Sequence, residues 1–204
     1  MKRTVDIAAA FREGWELFRL APSALLGASA IVFVGGTLTS GILAAPLLGG
    51  LLHMIDRLDR DDPTPLSATN VLLGLGNFLQ PLLVALGGLV PAALGWILLR
   101  VPMMAPLAVV PGIVLLPAIL WALFLAVFRG ETALDAYRFV FRYVFRPDMV
   151  ATYFSMFLPA VIAGCGAAVF GAGVIVTAPI GLCIAHRVYK RAFEDEPEVE
   201  VVYE

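Results

Sequence analysis

The sequence predicts an all-α integral membrane protein with about six transmembrane helices, arranged as three hairpins that are each preceded by an interfacial amphipathic helix. Hydrophobic residues fill 60% of the 204 positions and charged residues only 15%, at a mean hydropathy of +0.91, whereas soluble domains average about 25% charged residues. All acidic residues, and all lysines and arginines except Arg100, fall in four patches, at residues 2–19, 56–62, 129–148 and 187–204. Long apolar stretches separate these patches, which is typical of a chain that crosses a bilayer repeatedly.

The apolar stretches set the number and direction of the predicted crossings. One crossing requires about 20 apolar residues, so the stretches accommodate three pairs of spans, at about 22–58, 80–128 and 149–190. The first pair is short, which leaves open whether both of its helices cross fully. If every stretch goes out and back, the four charged patches share one membrane face. Because lysine and arginine near span ends stay cytoplasmic, the sequence predicts that both termini are cytoplasmic.

A segment with helical periodicity precedes each pair of spans, at about 4–20, 66–79 and 132–146, the middle one almost uncharged. In the first segment the apolar face holds Ile7, Phe11, Trp15 and Phe18, and the other face holds Arg12, Glu16 and Arg19. In the third, a stripe of Arg138, Arg142 and Arg146 opposes Leu134, Tyr137, Phe141 and Val144. Helices with one apolar and one charged face are expected to lie in the membrane interface.

The chain also resembles a repeated unit. Pro22, Pro81 and Pro147 each follow an interfacial segment, where proline ends a helix and lets the chain turn into the bilayer. The run Ala45-Pro46-Leu47 with His53 and Arg57 matches Ala178-Pro179-Ile180 with His186 and Lys190 at a constant offset of 133. We therefore expect residues 1–193 to form one membrane domain of parallel repeats, followed by an acidic disordered tail at 194–204.

Small residues recur every four positions in two of the predicted spans. They are Gly41, Ala45 and Gly49 in the first pair, and Gly173, Thr177, Gly181 and Ala185 in the third. Such spacing lets helix backbones approach closely in lipid. The pattern indicates packing within the chain, and it leaves a homo-oligomer open.

Arginines on the interfacial segments are the candidate ligand-binding residues. Guanidinium groups pair with phosphate oxygens, and aromatic rings settle at headgroup level. The predicted contacts to anionic phospholipid headgroups are Arg138, Arg142, Arg146, Arg12 and Arg19. The alternative is interfacial anchoring with no specific lipid.

His53 and His186 are predicted to form a polar interfacial pair near the ends of their helices. Few other metal ligands lie at helical spacing from them, so no metal site is predicted. Cys165 and Cys183 are interpreted as small apolar residues. No catalytic motif occurs, and the net charge of −2 gives no reason to expect nucleic acid. The sequence therefore predicts no catalytic residue and no cofactor.

Several short motifs resemble a family of uncharacterised bacterial multi-pass inner-membrane proteins, related to the membrane domain that precedes some glycerophosphodiester phosphodiesterases. The motifs are Trp15-Glu16-Leu17-Phe18-Arg19 with Pro22, Pro46-Leu47-Leu48-Gly49-Gly50 leading to Arg57, Val110-Pro111-Gly112-Ile113, Gly130-Glu131 with Ala133-Leu134, and Val176-Thr177-Ala178-Pro179 with Tyr189. The resemblance implies about six helices in the bacterial inner membrane and no assigned activity. This chain departs from the pattern at Tyr137, where relatives usually carry serine. The resemblance does not imply phosphodiesterase activity for this chain.

These observations favour a non-enzymatic accessory or scaffold protein that contacts anionic lipid through cytoplasmic interfacial helices, with unknown protein partners. The alternative is a small transporter or channel for an apolar or lipid-like solute, because prolines within the spans are expected to kink the helices and open space between them. An enzyme acting on lipid headgroups is the least supported class, since the charged patches offer only scattered acids and histidines. No charge is expected near the middle of any span, which argues against an ion or proton pathway.

Overall fold

The computed structural model describes residues 5–62, 64–144, 146–168 and 172–193. Helices make up 85% of the structure and no strand occurs within these ranges, so the all-α prediction is confirmed. The acidic tail predicted at 194–204 lies outside the described residues.

The first unit consists of three helices, with a sharp corner between the first two. Its helices are α1 (Ile7–Leu20), α2 (Pro22–Leu38) and α3 (Ala44–Asp59). Asp6 caps α1, because its carboxylate accepts from the amide of Ala9 at 3.0 Å. Ala21 interrupts the helix and Pro22 starts the next, so α1 and α2 meet at 92°. A turn at 39–43 then reverses the chain, with Gly41 at a φ of +91°, and α3 packs back on α2.

The middle unit contains a 3-10 helix where the sequence predicts the interfacial helix at 66–79. Its elements are a 3-10 helix (Ala68–Asn77), α4 (Leu79–Gly87), α5 (Leu89–Leu99), a second 3-10 helix (Pro102–Val109) and α6 (Val110–Phe128). The first 3-10 helix runs directly against α3, where a methyl group added to Gly50 would lie 1.9 Å from the carbonyl oxygen of Val71. The segment is thus shaped by backbone packing rather than by a charged face.

The third unit repeats the order of the first. It consists of α7 (Ala133–Phe139), a π-helical turn (Val140–Val144), a 3-10 turn (Pro147–Met149), α8 (Val150–Ser155), α9 (Phe157–Cys165), a 3-10 turn (Gly166–Ala168) and α10 (Val174–Phe193). Pro159 has no amide hydrogen to give to the carbonyl of Ser155, which accounts for the break between α8 and α9.

The core forms around α10, which packs on α1, α2, α3 and α9. Gly181 supports the interpretation of the small-residue pattern as internal packing, since an added methyl group would lie 2.5 Å from the backbone nitrogen of Ala163 on α9. Trp121 is fully buried, and its indole nitrogen donates to the carbonyl of Tyr153 at 3.3 Å. The helices therefore interlock through close backbone contacts and large aromatic side chains.

Within the described residues, two helices are long and apolar enough to cross a membrane. They are Leu79–Leu99, which combines α4 and α5, and Leu107–Phe128, which contains α6. The bent pair of α1 and α2 would make three if counted as one broken span, so this length-and-composition test gives fewer crossings than the predicted six. Only 12% of the Leu79–Leu99 window is buried, so most of its apolar surface faces outward.

Candidate functional site

Helix α1 has three faces rather than two. One face packs on the bundle through Ala10, Gly14, Leu17 and Phe18. At 100° per residue, the next face carries Ile7, Phe11 and Trp15, which are 37%, 40% and 45% exposed. The charged face with Arg12 and Arg19 follows, fully outside the bundle. The sequence predicted the apolar and charged faces, but it could not show that α1 also packs on α10 while leaving apolar rings uncovered.

Helix α7 and its π-helical continuation repeat this arrangement. Their packed face holds Ala133, Ala136, Val140 and Val144. Leu134 and Phe141 are apolar and exposed on the neighbouring face, and Arg138 and Arg142 are exposed beyond them. Both helices therefore present a row of uncovered apolar side chains with arginines along its outer edge.

The start of α7 is fixed by polar contacts. Thr132 caps the helix by accepting from the amide of Asp135 at 3.2 Å, and the side-chain oxygen of Gln80 on α4 accepts from the amide of Ala133 at 2.8 Å. The hydrogen bond from Thr132, followed by the bond from Arg138, lowers the pKa of Asp135 below its usual range. Asp135 therefore stays ionised and pairs with the Arg138 guanidinium at 3.3 Å.

A shallow groove of about 530 Å³ lies along α7 and is lined by Leu134, Tyr137, Arg138, Phe141 and Arg142. The rings of Tyr137 and Phe141 stack at 6.4 Å with an interplanar angle of 17°. The Tyr137 hydroxyl donates to the carbonyl of Val84 on α4 at 2.8 Å, and burial raises its pKa to about 12. Tyr137 thus remains a hydrogen-bond donor and fixes the groove against α4.

The structure does not extend the predicted arginine stripe to Arg146. Arg138 and Arg142 share the groove, but the π-helical turn at Val140–Val144 changes the helical repeat after Phe139. Arg146 has an extended backbone, with φ −112° and ψ 152°, and caps the next 3-10 turn. The four-residue spacing in sequence therefore does not place all three guanidinium groups on one face.

The two predicted histidines both pack on the ring of Phe128. The ring centroids of His53 and Phe128 are 6.0 Å apart, and those of His186 and Phe128 are 5.5 Å apart. His186 is only 1% exposed and is placed in the bundle rather than at its surface. Its Nε2 atom lies 3.3 Å from Asp59 Oδ2 and 3.7 Å from Asp56 Oδ1.

Asp59 is the centre of a buried ion cluster that the sequence reasoning missed. Its side chain is 2% exposed and meets His186, Arg187 and Lys190 of α10, the lysine at 2.5 Å. Arg187 forms an ion pair with Oδ1 whose geometry is not that of a hydrogen bond, and Arg187 Nε and His186 Nδ1 have no hydrogen-bond partner among the described residues. Asp59 lies 127 residues from His186, but the matching ends of α3 and α10 were the available signal.

Opposing effects set the protonation of Asp59. Burial raises its pKa, but hydrogen bonds from His186 and Lys190, together with their charges, outweigh the burial and hold the pKa well below its usual range. The carboxylate is therefore charged at neutral pH and holds the last turn of α3 against α10.

Contacts join all four charged patches of the sequence at one end of the bundle. Glu13 of the first patch pairs with Arg191 of the fourth at 2.5 Å. The Asp59 cluster joins the second patch to the fourth, and the Arg129 guanidinium of the third patch lies 4.1 Å from the ring of Phe193, beside the fourth. The charged residues in these contacts are far apart in sequence and therefore lie together around the end of α10.

A second cavity, of about 310 Å³, opens at this end between α1, α3 and α10. Its lining residues are Glu13, Glu16, Leu17, Leu20, Leu58, Asp59, Asp61 and Arg187. Among the described residues, no group of three or more His, Cys, Asp or Glu side chains is placed to hold a metal ion.

Arg100 stands apart from the charged end. It follows the last turn of α5, and its guanidinium stacks over the Trp96 ring at 4.1 Å.

No family model, no curated protein and no solved structure matches this chain, so its function is inferred from the arrangement of these residues.

Proposed function

We propose that this chain is a non-enzymatic, multi-pass protein of the bacterial inner membrane, an accessory or scaffold protein that holds α1 and α7 in the cytoplasmic interface against anionic lipid. The observation that carries the proposal is the 92° corner between α1 and α2, combined with the uncovered apolar row on α1.

The corner relates α1 to the membrane plane. Helix α2 has 17 residues, none of them charged, and spans about 26 Å at 1.5 Å per residue, close to the thickness of the hydrocarbon core. If α2 follows the bilayer normal, α1 lies in the membrane plane. Ile7, Phe11 and Trp15 then enter the acyl region, while Arg12 and Arg19 reach the phosphates.

The position of the charged residues at one end of the other long helices supports the proposal that these helices also cross the membrane, and it supports the orientation of the protein. Helix α3, the α8–α9 pair and α10 have 16, 16 and 20 residues, with charges only at the end where the four patches meet. We count them with α2, α4–α5 and α6 as six crossings in three hairpins, whereas length and composition alone support two or three. The positive-inside rule places the charged end, and with it both termini, in the cytoplasm.

Packing in the core favours a scaffold over a transporter. The side chains of Trp121, Phe124 and Tyr189 fill the space between α6 and α10, with ring centroids 5.3 Å apart for Phe124 and Tyr189. A path for an apolar solute along these helices would require the aromatic side chains to separate.

The proposal is tested by measuring which face of α1 contacts lipid. Single cysteines replace Phe11 or Trp15 in full-length protein carrying Cys165→Ser, and Cys183 stays because it is buried. After spin labelling and reconstitution with phosphatidylglycerol, we expect labels at 11 and 15 to collide with dissolved oxygen and to be shielded from a water-soluble nickel chelate.

Glu16→Cys provides the matched control, since position 16 lies on the charged face of the same helix and is exposed. Its label should show the opposite preference, with strong relaxation by nickel. Equal nickel accessibility at 11, 15 and 16 would mean that α1 stands in water, and the proposed membrane contact would be wrong.

A further inference from the structure

We propose that the α7 groove is a binding site for one anionic glycerophospholipid, with an acyl chain along its apolar floor and the phosphate between Arg138 and Arg142. The inference rests on the proposed function, because it requires α7 to lie in the interface. It goes further by assigning a ligand and a single site.

The floor of the groove matches a hydrocarbon chain. Leu134, Tyr137 and Phe141 follow one another at intervals of three and four residues, so their side chains form a continuous apolar row about two helical turns long. Leu134 and Phe141 are exposed, and covering such a row by an acyl chain removes apolar surface from water.

The edge of the groove matches a phosphate diester. Arg138 and Arg142 are one turn apart and both line the groove, which brings two guanidinium groups to the same side of the apolar row. The pair with Asp135 engages one nitrogen of Arg138, and a guanidinium carries five donors, so donors remain for a phosphate. Two guanidinium groups line this edge, and a guanidinium that already has one partner keeps further donors for a phosphate oxygen.

The groove is held in one geometry, which favours a defined site over a diffuse basic surface. The Tyr137 hydroxyl bonds to Val84, and a methyl group added to Gly87 would lie 2.4 Å from the same hydroxyl. The Gln80 side chain holds the first turn of α7. Helix α4 therefore fixes both the floor and the start of the helix that carries the arginines.

The test titrates the purified full-length protein in neutral detergent with dioleoyl-phosphatidylglycerol and counts bound lipids per chain by native mass spectrometry. We expect one lipid to bind more tightly than the rest. Replacing Arg138 and Arg142 by glutamine should weaken this lipid about tenfold or more, since each basic residue near an anionic surface contributes on the order of 1 kcal/mol. Leu134→Ser with Phe141→Ser, both at exposed positions, should weaken it similarly.

The matched control is Arg12→Gln with Arg19→Gln, which removes the same charge from α1. It should leave the tight lipid unchanged and reduce only the weaker binding of further lipids. Equal loss in both arginine pairs would overturn the groove while leaving interfacial anchoring intact. Glycerol phosphate that binds as tightly as the lipid would show a phosphate site without an acyl chain, and would also overturn the proposal.

Discussion

At the residue scale, the most consequential side chain is Asp59, which no motif singled out. One carboxylate at the end of α3 meets three basic or titratable groups of α10. Removing one partner from a buried ion cluster leaves the other charges without compensation, and this is more costly than the cluster is stabilising. Asp59 is thus expected to control whether α3 and α10 stay together.

We expect Asp59→Asn to lower the free energy of unfolding by about 1–3 kcal/mol, because His186 and Lys190 lose a charged hydrogen-bond acceptor while Arg187 and Lys190 stay partly hydrated. The measurement is thermal or denaturant unfolding of the full chain in detergent. Asp61→Asn makes the same chemical change two residues later at an exposed position, where a φ of +52° also suits asparagine. Comparable destabilisation by the two variants would contradict the role given to Asp59.

The pKa of Asp59 predicts how this difference depends on pH. A carboxyl group whose pKa is lowered by folding stabilises the folded state fully above its unfolded pKa of about 3.9, and the contribution is lost as the pH falls toward the folded pKa. The stability difference between the native protein and Asp59→Asn should therefore shrink as the pH falls below about 4. A difference that stays undiminished below about pH 4 would contradict the assigned sign.

At the element scale, α1 is defined by where it packs as much as by its periodicity. The sequence predicts its bounds, its charged face and the corner at Pro22, because these depend on local composition. It does not predict that Gly14 faces α10, where an added methyl group would lie 2.6 Å from the Cα atom of Ile184. Contacts of this kind join residues 170 positions apart, and helical periodicity carries no information about them.

Because helical periodicity does not report contacts between distant residues, the structure also differs from the sequence-based expectations in other places. The 3-10 helix at Ala68–Asn77 follows from backbone contact with α3, and the displacement of Arg146 follows from a π-helical turn. Neither has a signature in the order of apolar and charged residues. The sequence singled out Arg138 and Arg142 because both lie in one short segment, whereas Asp59 was missed because its partners come from another helix.

Gly14→Val should detach α1 without unfolding the bundle, since the branched side chain cannot enter the contact with Ile184 and overpacking costs about 1–3 kcal/mol. We expect faster hydrogen exchange in residues 7–20 and little change in α6. Ala8→Val places the same valine side chain at an exposed position of the same helix and should leave exchange nearly unchanged. Equal exchange in the two variants would mean that α1 is not held through Gly14.

At the scale of the whole molecule, contacts join described charged residues around the end of α10, whereas Arg100 lies apart at the end of α5. The long apolar helix has 21 residues and extends about 30 Å. Gln80, beside α7, lies at its first end, and Arg100 follows its last residue. This length matches a bilayer core, and the outward-facing apolar surface of the helix suits contact with lipid. Arg100 and the exposed Arg60, at the end of α3, should therefore lie on opposite membrane faces.

Cysteine labelling tests this separation. In full-length protein carrying Cys165→Ser, Arg100→Cys should react with an impermeant maleimide in intact spheroplasts, and Arg60→Cys only in inverted vesicles. The substitutions are matched, because each replaces an arginine at the end of a helix, and the Arg60 side chain is already 66% exposed. Reaction of both positions from the same side would mean that Leu79–Leu99 does not cross the membrane. The six-helix arrangement would then lose a helix whose length fits the bilayer core. Reaction from opposite sides, with Arg60 inside, would fix the charged end in the cytoplasm, where α1 and the α7 groove meet the anionic leaflet.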